Sequence, residues 1–286
     1  MANVTTAFVK QFAANIMHLV QQKGSRLRPT IMIEPGVVGE EASFDQLGTT
    51  KAQKKTTRNA DTPLSQPDHA RRWVTLFDYE VAKLHDKQDQ LKMLSDPTSR
   101  YVQSGAWALG RAMDDEIIAA ATGTARTGKT GSDNITLPSA QKVAHSSTGM
   151  TIAKILAAKE ILDTNEADED EPRFMIVTAG QVTDLLNTTE VKSADYNTVK
   201  ALAAGQIDTF CGFKFVRTQR LGTDSDSNRQ VLAYNKSGIL LAIAQDIVSD
   251  IGPRRDKSMA TQVYLSLGVG SVRMEEERVV EIACTE

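Results

Sequence analysis

The sequence predicts an α+β fold, and three observations support this class. Apolar residues recur every three or four positions over 97–122, which is the spacing of a helix with one buried face. Apolar and polar residues alternate over 71–81 and again over much of 257–284, as they do in half-buried strands. Residues 150–245 mix short helical and strand-like stretches. One chain therefore carries both periodicities.

The composition is that of an ordinary folded protein. Of the 286 residues, 41% are hydrophobic, 24% are charged and 5% are aromatic, and the formal net charge is −3. A protein that holds nucleic acid tightly usually has an excess of basic residues, because neutralising phosphates supplies most of the affinity. The net charge therefore excludes tight DNA binding by the chain as a whole, although it allows local basic patches.

The residues that most often bind metals or form disulfides are scattered. Cys211 and Cys284 form no CxxC pattern, so we expect two reduced thiols. The histidines have neither HxxxH nor HExxH spacing, and they are His18, His69, His85 and His145. No catalytic residue, cofactor or metal site is therefore predicted. No apolar run reaches the roughly 20 residues that cross a bilayer, so no membrane partner is expected either.

Residues 1–41 are predicted to form an N-terminal arm. Helical spacing of apolar residues favours an amphipathic helix over 4–23 that docks on another surface. Pro29, Pro35 and nearby glycines prevent a long helix after it, so 24–39 is expected to be extended. The apolar positions of the helix are Val4, Phe8, Phe12, Ile16 and Val20.

Residues 42–81 are predicted to form a long projecting hairpin. Its middle, about 48–67, is polar and basic and cannot bury a core of its own. A strand is expected before this stretch, and a strong alternating strand follows it over 71–81. An isolated two-stranded hairpin is marginal in water, and no adjacent segment of the chain obviously supplies a partner surface. We therefore expect another copy of the chain to cover it.

The longest predicted helix spans 97–122. Asp96 suits the N-cap, Pro97 suits the first helical position, and Gly123 is a suitable stop. One face of the helix is apolar. The opposite face carries the acidic cluster Asp114, Asp115 and Glu116, for which solvation or ion pairing is expected.

The segment GTARTGKT at 123–130 matches the phosphate-binding pattern GxxxxGK(S/T) at every fixed position. Such a loop binds phosphate when it follows a buried strand and opens a helix, because the helix N-terminus supplies the positive dipole. Here a long helix precedes the segment and ITLP follows at 135–138. We therefore expect a flexible loop over 123–134. A nucleotide hydrolase that uses Lys129 and Thr130 is the alternative from another functional class.

Residues 150–245 are predicted to form a compact α/β region. A helix over 151–162 comes first, and the acidic run 163–171 after it is expected to be a solvated loop. The assignment of 237–244 stays open between helix and strand. The other elements are a strand over 174–177, helices over 179–187 and 197–204, and strands over 213–216 and 230–234.

Local stretches and the order of the elements together resemble the major capsid proteins of tailed bacteriophages, which have the Hong Kong 97-type capsid fold. The stretches are RAMDDEIIAA at 111–120, IVTAGQVTDLL at 176–186, SADYNTV at 193–199, GQIDTF at 205–210 and GFKF at 212–215. The order is an arm, a projecting hairpin, a long helix, an α/β region and a return to strands. The resemblance covers nearly the whole chain, and the order supports it more strongly than any single stretch.

The resemblance implies a division of the chain into the parts of that fold. The N-terminal arm is 1–41, and 42–81 is the extended loop that lies over a neighbouring subunit. The peripheral domain comprises 82–149 and 246–286, with 97–122 as its spine helix. The axial domain is 150–245, and its loops meet at five- and six-fold axes.

The resemblance also implies a function and partners. The chain would be a late structural protein of the virion, without enzymatic activity, that self-assembles through hexamers and pentamers into an icosahedral shell around double-stranded DNA. Assembly would take place in the host cytoplasm. A separate scaffold protein is expected, because the folded-looking arm already begins at residue 4. A portal protein, a decoration protein and weakly contacted DNA are the other implied partners. A cellular nanocompartment shell of the same fold is the runner-up.

Ten residues are predicted to contact neighbouring subunits. The basic residues of the hairpin and the acidic run are expected to complement each other between copies. The predicted contact residues are Lys51, Lys54, Lys55, Arg58, Arg71, Arg72, Trp73, Asp168, Glu169 and Asp170.

Overall fold

A computed structural model describes residues 21–59, 61, 64–85, 98–187 and 209–286. The predictions for the helix over 4–23, for Asp96 and Pro97, and for the helix over 197–204 lie wholly or largely outside these residues. Helices and strands are both present within them, as the α+β class requires.

Three α-helices lie within the described residues, close to the predicted positions. They are α1 (Thr98–Thr122), α2 (Ile152–Thr164) and α3 (Ala179–Asn187). The apolar face of α1 is buried, and Leu109, Met113 and Ile117 are at most 2% exposed. The helix ends as predicted at Gly123, whose N–H donates to the carbonyl of Ala119 at 2.8 Å.

Within the described residues, the strands form three sheets. In chain order they are β1 (Met32–Pro35), β2 (Glu41–Leu47), β3 (His69–Thr75), β4 (Phe77–His85), β5 (Ala125–Thr127), β6 (Asp133–Ile135), β7 (Lys142–Val143), β8 (Arg173–Val177), β9 (Thr209–Phe210), β10 (Phe213–Arg217), β11 (Arg229–Asn235), β12 (Ile239–Arg254), β13 (Ala260–Arg273) and β14 (Val279–Cys284). The sheet orders are β1-β12-β13-β4, β2-β3-β5-β6 and β7-β14-β11-β8-β10-β9.

The six-stranded sheet is mixed. β8 pairs parallel with β10 and antiparallel with β11, and β11 pairs antiparallel with β14. Every residue of β8 is buried, because the strand has neighbours on both sides and is covered on both faces. The final strand β14 therefore belongs to the same sheet as the strands of 173–235.

The strand predicted over 71–81 is interrupted. The chain leaves the ladder at Leu76, so β3 and β4 belong to different sheets. The alternation in the sequence runs unbroken over 71–81 and therefore predicts one strand. The inward-facing positions nevertheless change at the break, since Arg72 and Val74 are buried before it and Tyr79 and Val81 are partly buried after it. Close packing of backbone occurs at the same place, since a Cβ on Gly270 would lie 2.2 Å from the carbonyl oxygen of Thr75.

The segment 237–244, which the sequence leaves open between helix and strand, is mostly strand. A 3-10 turn over Lys236–Gly238 leads into β12, which runs for 16 residues. Its first five residues are all buried between β1 and β13. A strand buried on both faces shows no alternation, so periodicity could not identify it.

The residue contacts divide the chain into two units. Of the described residues, the smaller unit holds 21–25, 78–85, 98–112 and 245–268, and the larger unit holds the rest. In the smaller unit, α1 packs closely on β13: a Cβ on Gly105 would lie 2.7 Å from Cδ1 of Leu265. The larger unit contains the whole six-stranded sheet and the whole β2-β3-β5-β6 sheet.

Candidate intersubunit surface

The predicted hairpin consists of a paired base and a long exposed tip. β2 and β3 pair antiparallel from Glu41 opposite Thr75 to Leu47 opposite His69. The tip, defined here as residues 48–68, begins where Gly48 N–H donates to Asp68 O at 2.7 Å. Nearly all of its described residues are exposed. The base holds the tip away from the core of its own chain.

The tip combines positive charge with exposed apolar side chains. Lys51, Lys54, Lys55 and Arg58 lie within 48–59, a stretch without an acidic residue, and all four are exposed. Leu64 is 88% exposed, and Leu47 at the end of β2 is 66% exposed. Single exposed leucines are common on surfaces. Two of them beside a run of four cations form a surface that an acidic and partly apolar partner would match.

The base is anchored by a segment that the sequence predicts to be a flexible loop. Residues 123–134 instead form most of a small hairpin of β5 and β6, and β5 pairs with β3 at Arg72 and Trp73. The indole Nε1 of Trp73 donates to the carbonyl of Gly128 at 2.8 Å. The prediction of a loop was therefore wrong, as was the expectation that no segment of the chain supports the hairpin. The glycine and threonine content of this segment predicts a loop, whereas its two three-residue strands are stabilised only by tertiary pairing.

Two arginines and one glutamate lie buried behind the base. Arg72 Nη2 lies 2.5 Å from Glu276 Oε2, and Arg273 Nε lies 3.3 Å from Glu276 Oε1. Arg273 is fully buried, and burial lowers the pKa of its guanidinium. It also donates to backbone carbonyls at the end of α1 and in β6, namely those of Ala121, Gly123 and Ile135. This cluster connects the hairpin to the C-terminal end of α1.

The remaining charged residues of the base are paired across strands. Arg71 donates to Asp45 at 2.5 Å, and this hydrogen bond lowers the pKa of the Asp45 carboxyl. Arg126 pairs with Glu41, whose pKa is lowered for the same reason. The sequence predicts that several hairpin residues contact another copy. Two of these residues, Arg72 and Trp73, instead form their contacts within their own chain. Arg71 is partly exposed, and the four basic residues of the tip are exposed.

The acidic run 163–171, called the acidic loop below, is only partly solvated. Asp163 pairs with Arg173, and Glu171 accepts hydrogen bonds from Ser237 and Arg278. The nominated residues Asp168, Glu169 and Asp170 are exposed. The hydrogen bond from Asp170 N–H to Asp168 Oδ1 shapes the loop locally.

The match to the phosphate-binding pattern has the wrong surroundings for that function. Residues 123–130 follow α1 rather than a strand, and β6 follows them rather than a helix. No helix N-terminus therefore points at a bound phosphate there. Lys129 instead lines a cavity of about 590 Å³ at the hairpin base, together with Asp45, His69, Arg71 and Asp133 among others.

The described part of the chain has neither a cluster of metal-binding side chains nor a helix suited to crossing a membrane. Within it, no three His, Cys, Asp or Glu side chains come together as metal ligands would. None of its helices combines the length and the apolar character that crossing a bilayer requires.

Sequence reasoning missed the buried polar groups that hold the larger unit together. Lys154 is one of them, because its ammonium donates to backbone carbonyls of the loop before α2 and of β14. Burial lowers the pKa of Lys154. The acceptors are the carbonyls of His145, Thr148, Gly149 and Ala283, at 2.8 to 3.0 Å. A lysine on the apolar face of a helix, between Ile152 and Ile155, is the signal that could have identified it.

This architecture is that of a phage capsid fold. The structure is similar to the capsid of the cyanophage P-SCSP1u, with a TM-score of 0.74, 18% identity, and coverage of 100% of this chain and 95% of that one. For the capsid of Ralstonia phage GP4 the TM-score is 0.74 at 10% identity, over 97% and 95% of the two chains. For the capsid of a native GTA particle it is 0.71 at 13% identity, over 100% of both.

The sequence itself defines the family. A family model described as phage capsid protein matches residues 4–286, and the chain belongs to this family. No curated protein matches the sequence. The chain is thus a shell-forming major capsid protein of the virion, as the order of its elements predicts. The family match favours this function over the nanocompartment and hydrolase alternatives.

Proposed function

We propose that this chain builds the closed icosahedral head of a tailed phage around double-stranded DNA, through hexamers and pentamers, and without catalysing a reaction. The assembly would take place in the host cytoplasm with a separate scaffold protein and a portal protein. A decoration protein and weak contacts with the packaged DNA belong to the same proposal. The net charge of −3 supports weak rather than tight contact with DNA.

The parts of the chain have different roles in such a shell. We assign 1–41 to the arm, 42–81 to the extended loop, 82–149 and 246–286 to the peripheral domain, and 150–245 to the axial domain. Packing of α1 against β13 in the smaller unit supports the peripheral assignment. Four strands of the six-stranded sheet, β8 to β11, lie within 150–245 and support the axial assignment, whereas β7 and β14 join this sheet from the residues assigned to the peripheral domain.

The observation on which this proposal rests is the exposed basic tip on an anchored base. In the shell, the tip of each copy lies on a neighbouring copy and contacts it through Lys51, Lys54, Lys55 and Arg58. The contact is heterologous, because the tip of one copy meets a different surface of the next, and such contacts close into rings when the geometry allows. Asp168, Glu169 and Asp170 are one candidate for the complementary surface.

Neutralising the tip tests this proposal. The variant changes all four basic residues of the tip to glutamine, and we expect it to keep its fold and lose most of its ability to form shells. Loss of charge complementarity weakens association, while exposed charges contribute little to the stability of one chain. Particle yield is measured by electron microscopy and sedimentation, and folding by circular dichroism.

A matched control removes four exposed positive charges from elsewhere in the chain. Its substitutions are Lys214→Gln, Lys236→Gln, Arg255→Gln and Lys257→Gln. We expect normal shells from this variant. Equal particle yields from the tip variant and the unmodified protein would contradict the proposed role of the tip.

A further inference from the structure

The buried cluster behind the hairpin base contains more positive than negative charge. Arg72, Arg273 and Glu276 are 5%, 0% and 7% exposed. Glu276 binds Arg72 through Oε2 and Arg273 through Oε1, and among the described residues it is the only acidic side chain that pairs with either arginine. Guanidinium groups stay protonated in proteins. Two positive charges and one negative charge therefore lie together away from water.

The pKa of Arg273 reflects the same imbalance. Burial lowers this pKa, the carboxylate of Glu276 raises it, and the charge of Arg72 lowers it again. The charged side chains that act on Arg273 are thus the two other members of the cluster. The part of the chain that the structure describes supplies no second carboxylate to balance them.

The hydrogen bonds of the cluster leave one nitrogen of Arg72 without an acceptor. Arg273 donates from both terminal nitrogens to backbone carbonyls at the end of α1 and in β6. Arg72 donates from Nε to the carbonyl of Met274 at 2.8 Å and from Nη2 to Glu276 at 2.5 Å. Its Nη1 is buried and has no hydrogen-bond partner within the described ranges. Because a buried charged donor without an acceptor is strongly unfavourable, an acceptor is expected at this nitrogen.

The surroundings of Nη1 limit the kind of acceptor. Arg72 and Val74 lie on the buried side of β3, and Val74 is 1% exposed. A phosphate group or a side chain of a second copy is too large to reach this side while the sheet is intact. A water molecule would accept the hydrogen bond but would leave the positive charge unbalanced. A monatomic anion meets both requirements and needs the least room.

We propose that Nη1 of Arg72 binds a small inorganic anion, which is chloride in ordinary buffers, and that this anion balances the charge of the cluster. The site is separate from the exposed tip, and it goes beyond the proposed shell function. Since the cluster joins the hairpin base to the end of α1, the bound anion stabilises the support from which the tip projects.

Thermal unfolding of unassembled chains tests the site. The unmodified protein is compared in sodium chloride and in sodium gluconate, both at about 0.15 M, so that exposed charges are screened equally. Gluconate is too large to be buried beside Nη1. An anion that binds the folded chain alone raises the unfolding temperature, and we expect a midpoint about 3–8 °C higher in chloride.

Substitutions of Arg72 identify where the anion acts. Arg72→Met removes both Nη1 and the excess charge, so its unfolding temperature should be equal in the two salts. Arg72→Gln serves the same purpose if the methionine variant does not fold, because a neutral amide can still donate to Glu276 or to Met274. Both variants are expected to lose the response to chloride.

Arg71→Met is the matched control. It removes the neighbouring arginine, which lies on the opposite side of β3 and pairs with Asp45. This variant should keep the full difference between chloride and gluconate.

Two results of these measurements would overturn the inference. Equal responses of the unmodified protein and of Arg72→Met would place the effect of chloride elsewhere on the chain. Equal unfolding temperatures of the unmodified protein in the two salts would mean that a water molecule is the acceptor at Nη1. Neither result bears on shell formation, which is measured separately by electron microscopy.

Bromide provides a direct view of the site. Crystals of unassembled chains grown in sodium bromide are expected to show an anomalous scattering peak beside Nη1 of Arg72, and crystals of Arg72→Gln should show none there. Peaks confined to the surface of the protein would mark an adventitious ion only and would contradict the proposed site.

Discussion

Glu286 illustrates how much one side chain contributes to the larger unit. Its Oε1 lies 2.9 Å from Thr178 Oγ1 and accepts from Gln181 Nε2 at 2.8 Å. Its Oε2 accepts from both Nε and Nη2 of Arg229. The pair with Arg229 holds the pKa of Glu286 below its ordinary value. One carboxylate thus ties the end of the chain to the start of α3 and to β11.

This pairing predicts a pH-dependent contribution to stability. A carboxyl whose pKa is lower in the folded state stabilises the fold above its ordinary pKa of about 4.3, and this is lost as pH falls through the folded-state pKa. We expect Glu286→Gln to cost about 1 kcal/mol at pH 7, and the difference from the unmodified protein should shrink below about pH 4. Urea unfolding of unassembled chains between pH 3 and 7 measures it.

The control for this prediction is Glu277→Gln, because Glu277 is exposed. We expect this variant to follow the unmodified protein at every pH. A cost of Glu286→Gln that stays constant down to pH 3 would show that the carboxylate charge is not involved.

Asp114 shows where residue-level reasoning from sequence stops. Solvation or ion pairing is the expectation for the acidic cluster, and Asp115 does pair with Arg220. Asp114, in contrast, is fully buried and accepts hydrogen bonds from the backbone N–H groups of Arg26 and Leu27. Its partners lie almost 90 residues away in the chain, so spacing within the helix could not reveal them.

Among the elements, α1 contains glycine at positions where helix propensity disfavours it. A Cβ on Gly110 would lie 2.6 Å from Ser25 N and 2.7 Å from the Cα of Gly24. These are backbone atoms, which cannot rotate away as a side chain can. Because Gly110 has no side chain, the backbone of Gly24 and Ser25 can pack directly on the helix.

Replacing Gly110 by alanine should therefore destabilise the protein, although glycine to alanine in a helix interior normally stabilises by about 1 kcal/mol. We expect a net loss of about 1–3 kcal/mol, because the added methyl group overpacks a rigid contact. Thermal unfolding of unassembled chains measures the effect.

Substitutions at two other positions on α1 serve as controls for this prediction. Gln103→Ala, on the exposed face, should change stability by less than about 0.5 kcal/mol. Gly105→Ala should fall between the two, since its contact is the flexible end of Leu265. A gain in stability from Gly110→Ala would show that the packing at Gly24 is loose.

For the molecule as a whole, the cluster of Arg72, Arg273 and Glu276 joins residues about 200 positions apart. Two buried guanidinium groups share a single carboxylate, and Nη1 of Arg72 has no hydrogen-bond partner among the described residues. The cluster therefore carries an excess of buried positive charge, which is offset in part by the carbonyls that Arg273 contacts.

This imbalance predicts an unequal response to two substitutions. Glu276→Gln leaves two buried cations without an anion and should cost about 3–5 kcal/mol. Arg72→Met leaves a balanced pair of Arg273 and Glu276 and removes an unpartnered donor, so it should cost clearly less. Chemical denaturation of unassembled chains compares the two. Equal losses of stability from the two substitutions would mean that water or another group already compensates the charge of the second guanidinium.

Much of this fold could be predicted because its elements depend on local patterns. The bounds of α1, α2 and α3 agree with the predicted helices, since apolar periodicity, caps and the stop at Gly123 are properties of neighbouring residues. The exposed basic tip was predicted for the same reason: a stretch without large apolar residues cannot bury itself. The serial order of the elements, together with the local stretches, predicted the capsid family to which the chain belongs.

Tertiary structure alone decided how distant segments pair. Short strands such as β5 and β6 have no stable pattern of their own and exist because β3 offers a ladder edge. The break at Leu76, the partners of Asp114 and the shared carboxylate of Glu276 likewise depend on contacts between residues far apart in the chain. Apolar periodicity predicts which face of an element is buried, but it does not predict which distant segment packs against that face. For this physical reason the helices could be predicted from the sequence, whereas the pairing of distant segments was decided only by the tertiary structure.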